Sequence, residues 1–219
     1  MAQIFYPGAN TISRWSIGAG MLVLAALILC SFILNRSAYQ TRVETPIEQP
    51  VPFSHRHHAG GLGIDCRYCH TSVETSAFAG IPSTETCMTC HSQIWRDSPM
   101  LASVRESYQN NIPIRWNKVY DTPNYVYFNH SIHVHKGVGC STCHGRVDRM
   151  PLMWKAQSMQ MEWCLACHRD PAPQLRPVAE VFNMEWTAPN NQIELGTELA
   201  KKYDVRSPAD LTSCSTCHR

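Results

Sequence analysis

The sequence predicts a mostly irregular and α-helical protein, with one N-terminal transmembrane helix and an outer domain of sparse secondary structure. Three observations lead to this prediction: an uninterrupted apolar stretch at residues 15–35, a scarcity of aliphatic side chains after it, and a cysteine motif that occurs five times. The chain has 219 residues and a formal net charge of +2. Because it lacks the basic excess that neutralises phosphates, we expect no nucleic-acid partner.

The apolar stretch at 15–35 contains no charged side chain between Arg14 and Arg36. A helix of this length spans about 30 Å, the thickness of the hydrocarbon core of a bilayer. We therefore expect an uncleaved signal anchor that crosses the membrane once and contacts lipid, with residues 1–14 as a cytoplasmic tail. A cleavable signal peptide is the alternative, although its apolar region is usually shorter.

The outer part of the chain, residues 36–219, is too poor in aliphatic side chains to form an ordinary core. Leu, Ile, Val and Phe make up 32 of its 184 residues, about 17%. A soluble chain of this composition is usually disordered. If this part of the chain is folded, something other than side chains must fill its interior.

Ten of the eleven cysteines belong to five copies of Cys-x-x-Cys-His, numbered here from first to fifth along the chain. The cysteine pairs are Cys66 and Cys69, Cys87 and Cys90, Cys140 and Cys143, Cys164 and Cys167, and Cys214 and Cys217. The histidines that close them are His70, His91, His144, His168 and His218. Two thiols at this spacing add to the two vinyl groups of one haem, and the following imidazole binds the iron. We predict five covalently attached c-type haems, whose faces supply the missing apolar core.

Zinc sites and disulfides are the other common uses of paired cysteines. Zinc would join two pairs in one closed site, and disulfides would suit an exported protein. Neither use explains why a histidine follows every pair, and five pairs would leave one without a zinc partner. The eleventh cysteine, Cys30, lies in the apolar stretch and is expected to act as a small apolar residue.

An internal repeat organises the outer domain. Each copy begins with a head, in which a phenylalanine precedes two histidines three residues apart, and continues with two haem motifs. The heads are Phe53, His55 and His58 in one copy and Phe128, His130 and His133 in the other. The expected segments are a linker at 36–52, a dihaem unit at 53–91, a connector at 92–127, a second dihaem unit at 128–168, and a C-terminal segment with the fifth haem at 169–219.

Histidines three residues apart project from one face of a helical turn. We therefore expect the four head histidines to bind the second axial position of four haems. The fifth haem lacks such a partner, and Met161, three residues before Cys164, is the expected thioether ligand. Met150, Met184 and His135 are the alternatives. A methionine ligand would raise the potential of that haem above the others and so give electrons a direction.

Several longer sequence segments resemble those of a known protein family. They are PFSHRHHAGGLGIDCRYCHTSVETS, AGIPSTETCMTCH, YFNHSIHVHKGVGCSTCHGRVD, MEWCLACHR and the terminal CSTCHR. The repeat heads resemble class III multihaem cytochromes, so the fold class is a haem-packed, class III-like multihaem cytochrome c domain behind one transmembrane helix. The whole chain resembles the membrane-anchored pentahaem cytochrome subunit of bacterial alternative complex III, a quinol:electron-acceptor oxidoreductase.

The resemblance implies an electron-transfer subunit without a catalytic site of its own. Its implied partners are a polytopic membrane subunit that oxidises quinol, an iron–sulfur subunit and a monohaem cytochrome c. Haem is attached to such motifs on the outer face of the bacterial cytoplasmic membrane, so the haem domain is expected on the periplasmic side of that membrane.

Two other functions fit some of these features. A self-sufficient, membrane-anchored quinol dehydrogenase that feeds a periplasmic reductase would share the anchor and the haems, but it needs a quinol pocket of its own. A multihaem reductase of nitrite or hydroxylamine needs an iron open to substrate. The five histidines of the motifs and the six spare ones are enough to close every iron, which disfavours the reductase.

Overall fold

The structure is a computed structural model that describes residues 5–218, and these form two compact units, one up to Arg42 and one from Val43 onward. The first unit is dominated by helix α1, which spans Ala9–Arg36 and is followed by the short helix α2 at Ala38–Thr41. No residue of α1 is buried. The guanidinium of Arg36 lies 3.6 Å from the ring centroid of Phe32, near the end of the helix.

Among the described residues, α1 is the only helix long and apolar enough to cross a membrane, with a mean hydropathy of 2.6. Membrane anchors and N-terminal signal sequences share these features. The helix begins earlier than the expected segment at 15–35, because the polar residues after Gly8 contain no helix breaker. Of the expected tail at 1–14, residues 1–4 lie outside the described residues.

The second unit consists of short helices joined by irregular segments. Its α-helices are α3 (Cys66–Cys69), α4 (Thr84–His91), α5 (Ala102–Asn110), α6 (His130–His135), α7 (Cys140–His144), α8 (Met161–Arg169), α9 (Gln192–Lys202), α10 (Pro208–Leu211) and α11 (Cys214–Cys217). A π-helical turn spans Arg56–Gly61, and 3-10 turns span Pro99–Leu101, Val147–Arg149, Ala172–Gln174 and Val178–Glu180. Within residues 5–218 there is no strand, only three isolated bridges. The predicted mostly irregular and α-helical fold is confirmed.

Local sequence explains where the short helices begin and end. Asp65 caps α3 by accepting a hydrogen bond from the backbone N–H of Arg67 at 2.8 Å. Asn129 caps α6 by accepting one from the N–H of Ile132 at 3.4 Å. Helix α7 ends at Gly145, whose φ of +66° is a conformation that glycine adopts without strain. Among the helices that carry motifs, α3 therefore begins at a capping side chain and α7 ends at a glycine.

The core made by side chains is small. Nine apolar side chains are buried among the described residues. One cluster of them brings together Val73, Val134 and Val181, with Cys140 packed against it. These residues come from segments that are distant in sequence, so this cluster holds the two dihaem units and the C-terminal segment together. A core of this size agrees with the low aliphatic content of the chain.

A close backbone approach also joins the two dihaem units. The π-helical turn Arg56–Gly61 packs against the 3-10 turn Val147–Arg149, which follows the third motif. The N–H of Arg56 donates to the carbonyl oxygen of Met150 at 3.0 Å. A Cβ at Gly60 would overlap the carbonyl oxygen of Asp148, so only glycine allows this approach.

Candidate haem-binding sites

Each of the five motifs lies on its own helical turn, on α3, α4, α7, α8 and α11. Cysteines at positions i and i+3 of a helix lie on the same side, so both thiols of a motif face one direction. All eleven cysteines are unpaired, so the structure contains no disulfide. Within residues 5–218, no three His, Cys, Asp or Glu side chains form a metal-chelating cluster, which is the arrangement that zinc would require.

The two repeat heads have nearly the same geometry. In the first head, the Phe53 ring is stacked on His58 at 4.4 Å between centroids and meets the edge of His55 at 4.9 Å. In the second head, the corresponding distances from Phe128 are 4.5 Å to His133 and 4.8 Å to His130. The phenylalanine thus fixes the relative orientation of the two histidines that follow it.

Three of the head histidines face the closing histidine of a motif. The ring centroids are 6.3 Å apart for His130 and His144, with an angle of 11° between the planes. They are 6.2 Å apart for His133 and His168, at 24°. They are 6.1 Å apart for His58 and His91, at 67°. In each unit, the second histidine of the head therefore faces the second motif.

These separations fit a metal held between two imidazoles. An imidazole–metal bond is about 2.0 Å long, and the ring centroid lies roughly 1.1 Å behind the bonded nitrogen. Two imidazoles on opposite sides of one metal are therefore about 6.2 Å apart between centroids. The three observed separations match this value, so the histidines of this chain are suited to hold haem iron from both sides.

In the first motif, His55 lies near the closing histidine, His70. Burial, together with the nearby His70, lowers the pKa of His55 to about 4. Burial, together with the nearby His130, likewise lowers the pKa of His144 to about 4. Such histidines are neutral at physiological pH, and the neutral imidazole is the form that binds a metal. By its place in the repeat, His55 corresponds to His130 and His70 to His144.

Hydrogen bonds leave the Nε2 atom of most of these histidines available. In eight histidines Nδ1 lies within hydrogen-bond distance of a backbone carbonyl oxygen. These eight are His58, His70, His91, His130, His133, His135, His168 and His218. Metal-binding histidines commonly donate their second ring N–H in this way, which orients the ring. Two further histidines, His55 and His144, have buried Nδ1 atoms without a partner among the described residues.

The first motif lies between the second and the third. The hydroxyls of Tyr68 in the first motif and Thr89 in the second are 2.8 Å apart and share a hydrogen bond. Val73, just after the first motif, belongs to the apolar cluster against which Cys140 of the third motif packs. Burial, together with the nearby Cys66, raises the pKa of the Cys140 thiol to about 11.

The fourth motif lies between the third and the fifth. Burial raises the pKa of Cys143 to about 12, and the neighbouring thiols Cys167 and Cys164 of the fourth motif add to this effect. The pKa of Cys164 is itself raised by burial and by the nearby Cys217 of the fifth motif. Helix α8 also packs against α10, which directly precedes the fifth motif.

In the described part of the chain, the closing histidine of the fifth motif lies beside a tyrosine instead of a histidine. His218 lies with its Nδ1 3.1 Å from the carbonyl oxygen of Tyr125 and its ring centroid 5.8 Å from the Tyr125 ring. Met161, the expected ligand, lies at the start of α8 and is 65% exposed. Of the alternatives, Met150 is only 2% exposed, and His135 is exposed on α6. Among the described ring contacts of His218, none is with a histidine.

Two residues outside the repeat heads contact the third motif: Tyr120, which the sequence predicts only as haem packing, and Arg176, for which the sequence predicts no role. The Tyr120 hydroxyl donates to the carbonyl oxygen of Cys143 at 3.1 Å, and its ring packs edge-on against His144 at 4.5 Å. Arg176 contacts the side chains of Ser141 and Thr142, inside the motif. Neither residue has a counterpart in the other repeat copy, so no spacing pattern pointed to them.

Comparison with known proteins agrees with this geometry. Residues 126–219 match the family described as cytochrome c7 and related cytochrome c, and residues 33–109 match the class III cytochrome c family. The chain is also similar to the multiheme cytochrome c subunit of the menaquinone reductase of Nitratidesulfovibrio vulgaris, with 34% identity over 146 residues. That similarity covers 66% of this chain and 63% of the relative, which is less than two thirds of the relative's length.

The two family matches follow one another along the chain and together include all five motifs. Proteins of both families carry c-type haem bound through such motifs, and they transfer electrons. The described residues add a strand-free fold, cysteines on helical turns and histidine pairs of the right separation. The protein therefore contains class III and c7-type multihaem cytochrome c domains with covalently attached haem.

Proposed function

We propose that this protein is the electron-transfer subunit of a quinone-linked complex in the bacterial cytoplasmic membrane, and that it carries five c-type haems. The observation that supports this most directly is the set of three histidine pairs with ring centroids 6.1 to 6.3 Å apart. Bound haem would supply a one-electron iron couple. Two imidazoles that bind one iron would keep small substrates away from it, as an electron relay requires and a reductase does not.

The chain's own residues would hold each haem in the same manner. The two cysteines of a motif would form the thioether bonds, and the closing histidine would bind the iron. The second histidine on each iron would be His55 for the first motif, His58 for the second, His130 for the third and His133 for the fourth. For the fifth motif we retain Met161 as the ligand opposite His218. Phe53 and Phe128 orient the paired head histidines.

The contacts between motifs support one linear order of the five sites. The first motif contacts the second through Tyr68 and Thr89, and it shares an apolar cluster with the third. The fourth motif lies beside both the third and the fifth. We infer the order second, first, third, fourth, fifth. Electrons would therefore enter and leave at the second and the fifth motifs, which form the two ends.

The direction of electron flow separates two candidates. The resemblance to the pentahaem subunit of alternative complex III favours electrons that come from quinol oxidation in a polytopic membrane subunit. They would leave through a monohaem cytochrome, with an iron–sulfur subunit in the same complex. The relative's name, menaquinone reductase, favours the opposite direction, from a periplasmic donor to quinone. In both cases α1 is the anchor and the haem domain is periplasmic.

Two measurements test the proposal. First, the pyridine haemochrome spectrum and the intact mass of the purified protein should give five haems per chain; four or fewer would contradict the assignment. Second, mild detergent extraction should yield a particle of several different subunits that includes a polytopic membrane protein. Recovery of this chain alone or as a small homo-oligomer would instead indicate a self-sufficient quinol dehydrogenase. The direction of electron flow is then fixed by whether the particle oxidises quinol when given an electron acceptor or reduces quinone when given an electron donor.

A further inference from the structure

A cationic side chain is buried beside the third motif. Arg176 is 5% exposed, and its guanidinium donates to the hydroxyls of Ser141 at 3.2 Å and Thr142 at 3.3 Å. It also donates to the carbonyl oxygen of Asn183 at 3.3 Å. The guanidinium carbon lies 4.4 Å from the ring centroid of Trp186. Four other groups thus fix the position of this charge.

No protein carboxylate in the described part of the chain forms an ion pair with this charge. Among residues 5–218, none of the ion pairs within 4.0 Å includes Arg176. Glu180 acts on Arg176 only from a longer distance, and its carboxylate accepts a hydrogen bond from the side chain of Asn183 at 2.7 Å. An arginine stays protonated even when it is buried. The segment that joins Cys140 to Cys143 therefore lies against a full positive charge that water screens poorly.

The chain makes room for this charge. A Cβ at Gly139, the residue before the motif, would overlap the Arg176 guanidinium. The N–H of Arg176 donates to the carbonyl oxygen of Gly137 at 2.9 Å, and the N–H of Cys140 donates to that of Val181 at 3.0 Å. The start of the motif and the segment around Arg176 are therefore held together by backbone hydrogen bonds as well as by the side chain.

The closing histidine of the same motif differs from its counterparts. The Nδ1 atoms of His70, His91, His168 and His218 lie 2.6 to 3.1 Å from carbonyl oxygens. His144 Nδ1 is buried without a partner among the described residues. A hydrogen bond from Nδ1 makes an imidazole more basic and so favours ferric iron, and its absence favours ferrous iron.

We propose that Arg176 and the unbonded His144 make the haem of the third motif the most easily reduced of the four haems assigned two histidines. Ferric haem carries one more positive charge than ferrous haem, so a fixed buried cation destabilises the ferric form. The first motif also has one unbonded ring nitrogen, at His55, so Arg176 distinguishes the third motif from the first. In the proposed order the third motif is central, so among these four haems the central one is the first to accept an electron.

This inference rests on the proposed ligand assignment, so the first step of its test checks that assignment. In the full-length protein, His130→Gly should remove one low-spin electron paramagnetic resonance signal, which identifies the third haem. If all low-spin signals remain, the ligand assignment fails, and the inference fails with it. With the signal identified, a redox titration of the wild-type protein should show this haem reduced before the other three; another haem reduced first would overturn the inference.

Variants of Arg176 isolate the effect of the charge. Arg176→Met should lower the equilibrium constant for reduction of this haem by about tenfold, which corresponds to 59 mV for one electron. Arg176→Lys keeps the charge, so the equilibrium constant for reduction of this haem should stay close to that of the wild-type protein. Arg149→Met is the matched control. It removes the same charge close to the motif, but from a side chain that is exposed to water and therefore screened. An equal shift in the Arg149 variant, or none in Arg176→Met with its low-spin signal intact, would contradict a role for the buried charge.

Discussion

The imidazole rings of His130 and His144 lie nearly parallel, 6.3 Å apart between centroids. His130 begins α6, where Asn129 provides the cap, and its Nδ1 is 2.9 Å from the carbonyl oxygen of Ala77 in the other dihaem unit. A proposed ligand from the second repeat is thus oriented by the backbone of the first. Haem binding by His130 would therefore depend on the packing of the two repeat copies against each other.

Replacement of a head histidine on α6 should open one iron. We expect His130→Gly and His133→Gly each to convert one haem to the high-spin form while the chain still folds, because the cysteines and the closing histidine remain. Electronic absorption and electron paramagnetic resonance spectra of the oxidised protein check this.

His135→Gly is the matched control for these variants. His135 is on the same helix, and its Nδ1 lies 2.8 Å from the carbonyl oxygen of Ser131, but its exposed ring faces no histidine among the described ring contacts. Its spectrum should match that of the wild-type protein. A high-spin signal here would identify His135 as the ligand of the fifth haem, and unchanged spectra of the other two variants would refute their assignment.

The angle between paired rings predicts a spectroscopic difference among the haems. An imidazole donates π electrons perpendicular to its plane, so parallel rings split two iron d orbitals and crossed rings leave them nearly degenerate. The angle is 67° for His58 and His91, but 11° and 24° for the pairs of the third and fourth motifs. The second haem should therefore have the largest g anisotropy of these three. His58→Gly should remove that signal, and loss of a more rhombic signal would contradict the ring geometry.

Features set by local spacing were predictable from the sequence, whereas features set by tertiary contacts were not. The motifs and the two heads repeat along the chain, so their geometry follows from helical periodicity. Arg176 occurs once, 35 residues from Ser141, and no pattern connects them. The order of the motifs likewise depends on contacts such as Tyr68 with Thr89. The helix at the N terminus extends to Ala9 because polar residues continue it beyond the apolar stretch.

Gly60→Ala should destabilise the haem domain. The added Cβ would overlap the carbonyl oxygen of Asp148, and backbone on both sides must move to relieve this. We expect the free energy of unfolding to fall by about 1–3 kcal/mol. Gly61→Ala is the control from the adjacent position, where the nearest atom would be the Arg56 carbonyl oxygen at an ordinary 3.6 Å. Denaturant unfolding of the holoprotein measures the stability of both variants. An equal loss of stability in the two would show that the close approach at Gly60 is not the cause of the destabilisation.

Met161→Leu tests the ligand proposed for the fifth haem. Met161 is exposed at the start of α8, and this helix packs against α10, which leads into the fifth motif. A thioether on ferric iron produces a near-infrared charge-transfer band, which the wild-type protein should show and the variant should lose. The potential of one haem should fall at the same time if a stronger donor replaces the thioether. Met100→Leu, which changes another exposed methionine, should keep the band. If the band persists without Met161, the ligand is another methionine, and Met150 and Met184 are the next residues to replace.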